Sequence, residues 1–234
     1  MRLCSYVVKH DTGFAPNPFW GYCTLAACTP NHVEVKLEAG DWIVGGQTKA
    51  AGRRLIHAMR VAETLDFDDY YRDGRFQRKK PRPGDGWKWA CGDNIYFRDD
   101  DGSWRQDGEA RFHTTERELR QDLRHPTVFV AEEFYYFGED AVVLPERFRP
   151  LLWDRQGCSC KHDAGLVSRF LNWVRGNHDR GVQAPPAHRR VTKIRARRRR
   201  PPDPGCDTDS CGQQRLDATE RVPPNGDGDE TTGS

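Results

Sequence analysis

Charge is segregated along this chain, and that segregation decides how much of it can fold. From Arg189 to Arg200, eight of twelve residues are basic: Arg189, Arg190, Lys193, Arg195, Arg197, Arg198, Arg199 and Arg200. From Asp203 to Ser234, eight acids follow against only Arg215 and Arg221, amid proline, glycine and threonine. Neither block has enough apolar surface to offset the entropy of ordering it. The sequence therefore predicts a disordered tail over 179–234, basic at 189–200 and acidic at 203–234, behind a folded domain over 1–178. That domain is neutral, with 26 Lys+Arg against 26 Asp+Glu. Only 36% of the chain is apolar, yet 11% is aromatic, more than a disordered chain carries.

Within 1–178 the apolar runs are short. Residues 3–8, 42–45, 55–61, 127–130 and 134–137 read as strands, and 94–98 with 102–105 as a hairpin turning on Asp99-Asp100-Asp101-Gly102. Asp66 caps a short helix that places Phe67, Tyr70 and Tyr71 on one face. Asp163 caps a longer helix whose Leu166, Val167, Phe170, Leu171 and Val174 form a stripe, with Gly176 as its end. Residues 78–86 form a basic loop rich in proline and glycine. No strand–helix–strand alternation occurs. The expectation is an α+β domain around a small curved or barrel-like mixed β-sheet with flanking helices.

No apolar run reaches the roughly 20 residues of a membrane span, and the first ten residues are too polar for a signal peptide. A soluble, cytoplasmic protein with reduced thiols is expected. Cys23 and Cys28 read as small core hydrophobes. Cys158, Cys160 and His162, with one distant ligand, have the chemistry to hold zinc, but a surface loop before a helix is the favoured reading. No metal site and no cofactor are assigned. The phosphate loop GxxxxGK[ST], GxGxxG, HExxH and GxSxG are all absent, which argues against the common nucleotide hydrolases, dehydrogenases, metalloproteases and α/β hydrolases.

Three polar clusters adjoin aromatic residues. Asn17 lies in the loop 11–21, which carries Phe14, Phe19 and Trp20. Asp41 precedes Trp42, with Thr48 and Lys49 beyond. Asp93 and Asn94 precede Ile95 and Tyr96. Rings can stack on the faces of a nucleobase while amides and carboxylates read its edge. The plainer alternative folds Phe19 and Trp20 onto the core and leaves Asp93-Asn94 to shape a turn. His57 reads as a core histidine. His113 and His125, in polar surroundings, show no partner in the sequence.

Several of these segments, in order, resemble the second class of nucleotide-modification-associated domains. They are Ser5-Tyr6-Val7-Val8, Gly13-Phe14-Ala15-Pro16-Asn17-Pro18-Phe19, Cys23-Thr24-Leu25-Ala26 and Gly40-Asp41-Trp42-Ile43. Phe76-Gln77-Arg78-Lys79, Gly92-Asp93-Asn94-Ile95-Tyr96 and Glu133-Phe134-Tyr135-Tyr136-Phe137-Gly138 continue the likeness to about residue 176. The chain departs from the pattern at Gly45-Gly46-Gln47-Thr48-Lys49, where the family has Ser before Lys. The resemblance implies a bacterial or phage protein linked to making or handling modified DNA bases. In architecture, 40–71 is also similar to PUA-like barrels, including EVE and ASCH domains, which hold a base in a pocket.

The leading expectation is recognition of a modified nucleobase. Phe14, Phe19 and Trp20 would stack on it, Asn17, Asp41, Asp93 and Asn94 would read its edge, and Tyr96 would join the base-binding set. The alternative is an enzyme acting on a nucleotide or DNA base, with Asp93 or Asp41 as general base and Lys49 neutralising a phosphate or oxyanion. A structural or interaction protein without a base pocket is the third reading. Expected partners are DNA or a modified nucleotide, with base-modification or restriction proteins beside them and no membrane. Phosphate contacts fall to the eight cations of 189–200, unless that block is a solvated extension screened by the acidic segment.

Overall fold

The protein's structure, a computed structural model, describes residues 1–28, 35–155 and 157–188. Its strands are β1 (Leu3–Val7), β2 (Cys23–Leu25), β3 (Trp42–Gly46), β4 (Leu55–Arg60), β5 (Glu63–Asp66), β6 (Tyr96–Arg98), β7 (Trp104–Gln106), β8 (Thr127–Ala131), β9 (Glu133–Tyr136), β10 (Cys158–Ser159) and β11 (Gly181–Val182). The α-helices are α1 (Phe67–Arg72), α2 (Trp87–Ala90), α3 (Glu116–Asp122) and α4 (Ala164–Asn177).

Six strands form one sheet in the order β10-β1-β3-β4-β9-β11, and three form a second in the order β2-β8-β5, while β6 and β7 make a hairpin. The larger sheet is mixed, since β1–β3 and β9–β11 run parallel and its other pairs antiparallel. Its two faces bury different side chains, as the period of two requires. Trp42, Val44, Ala58 and Tyr135 pack with Val167, Phe170, Leu171 and Val174 of α4. Tyr6, Ile43, Met59 and Tyr136 pack with Cys23, Leu25, Phe129 and Ala131 of the smaller sheet. Beyond that sheet, Val128 and Val130 meet Phe67 and Tyr70 of α1, together with Phe76 and Tyr96. The layers are thus helix, sheet, sheet, and a last layer of helix and hairpin. Central strands covered on both faces carry continuous apolar runs, which is why they stood out in the sequence.

The expected α+β class and mixed sheet are present. The barrel-like form is corrected: among the described residues no pairing closes a barrel, because the two-residue strands β10 and β11 end the larger sheet on opposite edges. Asp163 caps α4 as expected, accepting from the Leu166 N–H at 2.7 Å. The helix runs through Gly176, however, and its cap is His178, whose N–H bonds the Val174 carbonyl. Residues 179–188 were expected in the tail, yet they add β11 to β9 and tie back further. Glu139 N–H donates to Pro185 O at 2.8 Å, and Ala187 N–H to the buried Asp11 carboxylate at 3.0 Å. Main-chain hydrogen bonds order a segment that has little apolar content. The basic residues Arg189 to Arg200 and the acidic segment lie outside the described residues.

His57 is a core histidine, as expected. Its Nε2 lies 3.0 Å from the Tyr6 hydroxyl, its Nδ1 has no partner among the described residues, and it is fully buried. The ring rests against Gly45, where an added Cβ would come within 2.3 Å of Nε2. Burial drives its pKa down to about 3, against an ordinary value near 6.5. Between those values the unfolded chain binds the extra proton, so stability rises with pH and is lost as pH falls from about 6.5 towards 3. The expected slope from this group is up to about 1.4 kcal/mol per pH unit. A His57→Gln variant should flatten that acid limb in urea melts taken from pH 7 to pH 4; an unchanged limb would contradict the assignment.

Candidate functional site

The loop 11–21 and the segment 76–94 are joined by a buried ammonium. Lys79 is 1% exposed, and its Nζ donates to Asn17 O at 2.9 Å, Asn17 Oδ1 at 3.0 Å and Tyr22 O at 2.9 Å. All three of its protons are thereby used. Burial pushes Lys79 down to about 8, partly offset by the charge of Asp93. Asp93, also 1% exposed, accepts from Thr24 Oγ1 at 2.7 Å and Tyr70 OH at 2.8 Å, while burial raises its pKa. Asn94 donates to Tyr70 O and Phe76 O, and Asn17 Nδ2 to Cys91 O. Gly92 admits the close approach this needs: a Cβ there would lie 2.5 Å from Lys79 O and Pro81 N.

Asn17, Asp93 and Asn94 are therefore brought together, as the sequence suggested, but around Lys79 rather than at a surface. Lys79 was not among the candidates. The sequence signal for it was only its place in the Phe76-Gln77-Arg78-Lys79 segment.

Above this network the two loops display aromatic rings among cations. Trp20 and Trp89 lie 4.4 Å apart between centroids, with the Arg78 guanidinium 4.1 Å over Trp20 and Arg82 5.0 Å over Trp89. Phe19 is buried and meets the half-buried Trp87 edge-on at 5.5 Å. Trp20 holds φ at 66°, a left-handed conformation that costs a bulky residue roughly 1–2 kcal/mol.

Phe14 leads elsewhere. It borders a cleft of about 530 Å³ between 6–15 and 111–118, whose rim carries the exposed Lys9 and Arg111. The Phe14 ring lies 5.0 Å from Phe112 and 5.1 Å from His113. His113 Nδ1 sits 2.6 Å from Oδ2 of Asp122, and Tyr96 OH donates to that same oxygen at 2.6 Å. Asp122 is fully buried, so the pair fixes the imidazole's orientation in the cleft wall. The expectation that His113 lacks a partner is corrected. Its partner sits on α3, whose capping box joins Thr115 and Glu118. That Thr-x-x-Glu pattern was readable in the sequence. Tyr96 stands behind the wall, its hydroxyl committed to Asp122. His113 (φ 55°) and Ala27 (φ 47°), which also lines the cleft, adopt left-handed backbone. With Trp20, they make up three of the four non-glycine residues at positive φ among those described.

The structure does not unite Asp41, Lys49 and Asp93. Asp41 accepts from Arg2 N at 2.6 Å, Arg2 Nε at 3.2 Å and Glu38 N at 3.2 Å, so it anchors the start of the chain. Lys49 is exposed on a short 3-10 turn capped by Thr48. A further cluster has metal-ligand chemistry: the sulfurs of Cys4, Cys158 and Cys160 lie within 4.8 Å of one another.

The model of a family described as nucleotide modification associated domain 2 matches residues 1–193. No curated protein and no solved structure matches the chain significantly.

Replacing Lys79 leaves three oxygens and the Asp93 charge uncompensated inside the protein. Lys79→Met should cost about 3–5 kcal/mol in urea denaturation, and adding Asp93→Asn should recover part of it. A loss below about 1 kcal/mol, the size of an ordinary surface change, would contradict the network's structural weight.

Proposed function

This chain belongs to the nucleotide modification associated domain 2 family, and we propose that it recognises a modified base or nucleotide in the cleft beside Phe14. The cleft itself carries the reading. Its volume of about 530 Å³ falls in the range of small-ligand sites, roughly 300–1,000 Å³. Phe112 and His113, both half-buried, offer ring surface for a base, with the buried Phe14 packed behind them, while Lys9 and Arg111 offer positive charge for phosphate. The outer Trp20–Trp89 pair with Arg78 and Arg82 supports the same reading, since aromatic faces among cations suit a single strand. The loop from Phe14 to Trp20 runs from the cleft to that platform, so one strand can engage both while a base leaves the stack.

Asn17, Asp93 and Asn94 serve this site by fixing the loop rather than by touching the base. The basic block 189–200 adds phosphate contacts that fix position without reading sequence. A second reading rests on the Asp122–His113 pair. A histidine oriented by a buried carboxylate at a cleft wall is the arrangement of a general base, so turnover of the bound nucleotide is the alternative.

Fluorescence titration of the full chain with single-stranded oligonucleotides, each carrying one modified base, tests recognition. Binding should depend on the modification, and a Lys9→Glu/Arg111→Glu variant should lose it with an unchanged circular dichroism spectrum. Indifference to every modification would contradict the proposal. Trp20→Ala or Trp89→Ala should weaken binding of any strand by about tenfold or more, the worth of one stacked base. Mass spectrometry of nucleosides after incubation separates the two readings, because only the enzyme yields a product that His113→Ala abolishes.

Salt dependence tests the tail. Ending the chain after His188 should weaken binding equally for all sequences and lower its salt slope, whereas removing only 203–234 should strengthen it. An unchanged slope in the shorter chain would remove the basic block from the account.

A further inference from the structure

Cys158 and Cys160 are separated by one residue on the edge of the larger sheet, where β10 pairs with β1 through Ser5↔Ser159 and Tyr6↔Cys158. Extending that antiparallel register by one step sets Cys4 opposite Cys160. Alternation then puts Cys4, Cys158 and Cys160 on one face. The structure bears this out, with the three sulfurs within 4.8 Å of one another, Cys4 buried and the other two half-buried. Tetrahedral zinc with Zn–S bonds of about 2.3 Å needs sulfurs roughly 3.8 Å apart, so small side-chain rotations close the set.

We propose that Cys4, Cys158 and Cys160 bind a Zn²⁺ ion that staples β10 to β1. Each thiol releases its proton to solvent as its sulfur takes up the metal. The three thiolates over-neutralise the dication by one charge, and the neighbouring Arg2 guanidinium is placed to offset it. His162 has its Nε2 near Ser5 Oγ at 3.2 Å and Ser159 O at 3.1 Å. It therefore braces the strand pair, and solvent takes the fourth coordination position on the half-buried side. The staple has mechanical sense. β10 has only two residues, and it delivers the chain to α4, whose stripe covers one face of the larger sheet.

The test uses the full-length chain, grown with zinc and analysed by inductively coupled plasma mass spectrometry. About one zinc per chain is expected. Substituted Co²⁺ should give the intense thiolate-to-cobalt charge-transfer absorption. Cys158→Ser/Cys160→Ser should lose both signals while keeping its circular dichroism spectrum. Cys206→Ser/Cys211→Ser, Cys28→Ser and His162→Ala should keep them. Cys4 is buried and its variants risk misfolding, so the cobalt spectrum of the wild-type chain supplies the independent readout. Metal-free wild-type protein that shows no cobalt–thiolate band, or full zinc retention in Cys158→Ser/Cys160→Ser, would overturn the proposal. Loss of zinc in His162→Ala would overturn the solvent-filled fourth position.

Discussion

A buried ammonium cannot be left without compensation, and in this protein the compensation for Lys79 organises the surfaces argued to bind ligand. Its three donors hold Asn17 and Tyr22 from one loop, and its charge faces Asp93 in the segment beyond it. Asp93 in turn accepts from Thr24 in the smaller sheet and Tyr70 in α1. The loop 11–21 and the proline-containing segment 76–94, which has only short helical turns, are thereby fixed to both layers. Stripping either buried charge of its partners costs far more than an exposed ion pair contributes. The network thus specifies one placement of Trp20, Trp87 and Trp89.

Backbone strain is stored at both the cleft and the tryptophan platform. Trp20, Ala27 and His113 occupy left-handed backbone, which persists only where surrounding contacts over-determine it. For Trp20 those contacts are Trp89 and Arg78. For His113 they include Asp122 and the Gln106 side chain, which donates to its carbonyl at 2.8 Å. Rigid rings held before binding lose little freedom on meeting a base, so their contact surface converts more fully into affinity.

How much of this could be read beforehand follows from physical range. The strands 3–8, 42–45, 127–130 and 134–137 and the capped helix after Asp163 were legible, because burial on both faces or along one stripe writes itself into local pattern. β2 and β5, with three and four residues, were too short to show a period. The order of residues 179–188 comes from pairing with β9 and from bonds to the distant Asp11, which leave no local pattern in the segment itself. At the site, the sequence singled out Asn17, Asp93 and Asn94 as polar residues beside rings, expected to read a base, and the structure joins them in a buried network instead. Their common partner Lys79 is 62 residues from Asn17 along the chain, and no local pattern announces a lysine that the fold will bury. Cys4 lies 154 and 156 residues before Cys158 and Cys160, so only the strand pairing shows that they meet.

The central claim is that the cleft and the tryptophan platform form one surface for a nucleic-acid base and its strand. Heteronuclear NMR of the full chain, observing indole N–H and imidazole resonances during titration with a single-stranded oligonucleotide carrying a modified base, tests it most directly. The account predicts shifts at Trp20, Trp87, Trp89 and His113, with Trp42 unmoved in the core beneath α4. Shifts confined to Trp173 of α4, or no shifts at saturating oligonucleotide, would contradict it.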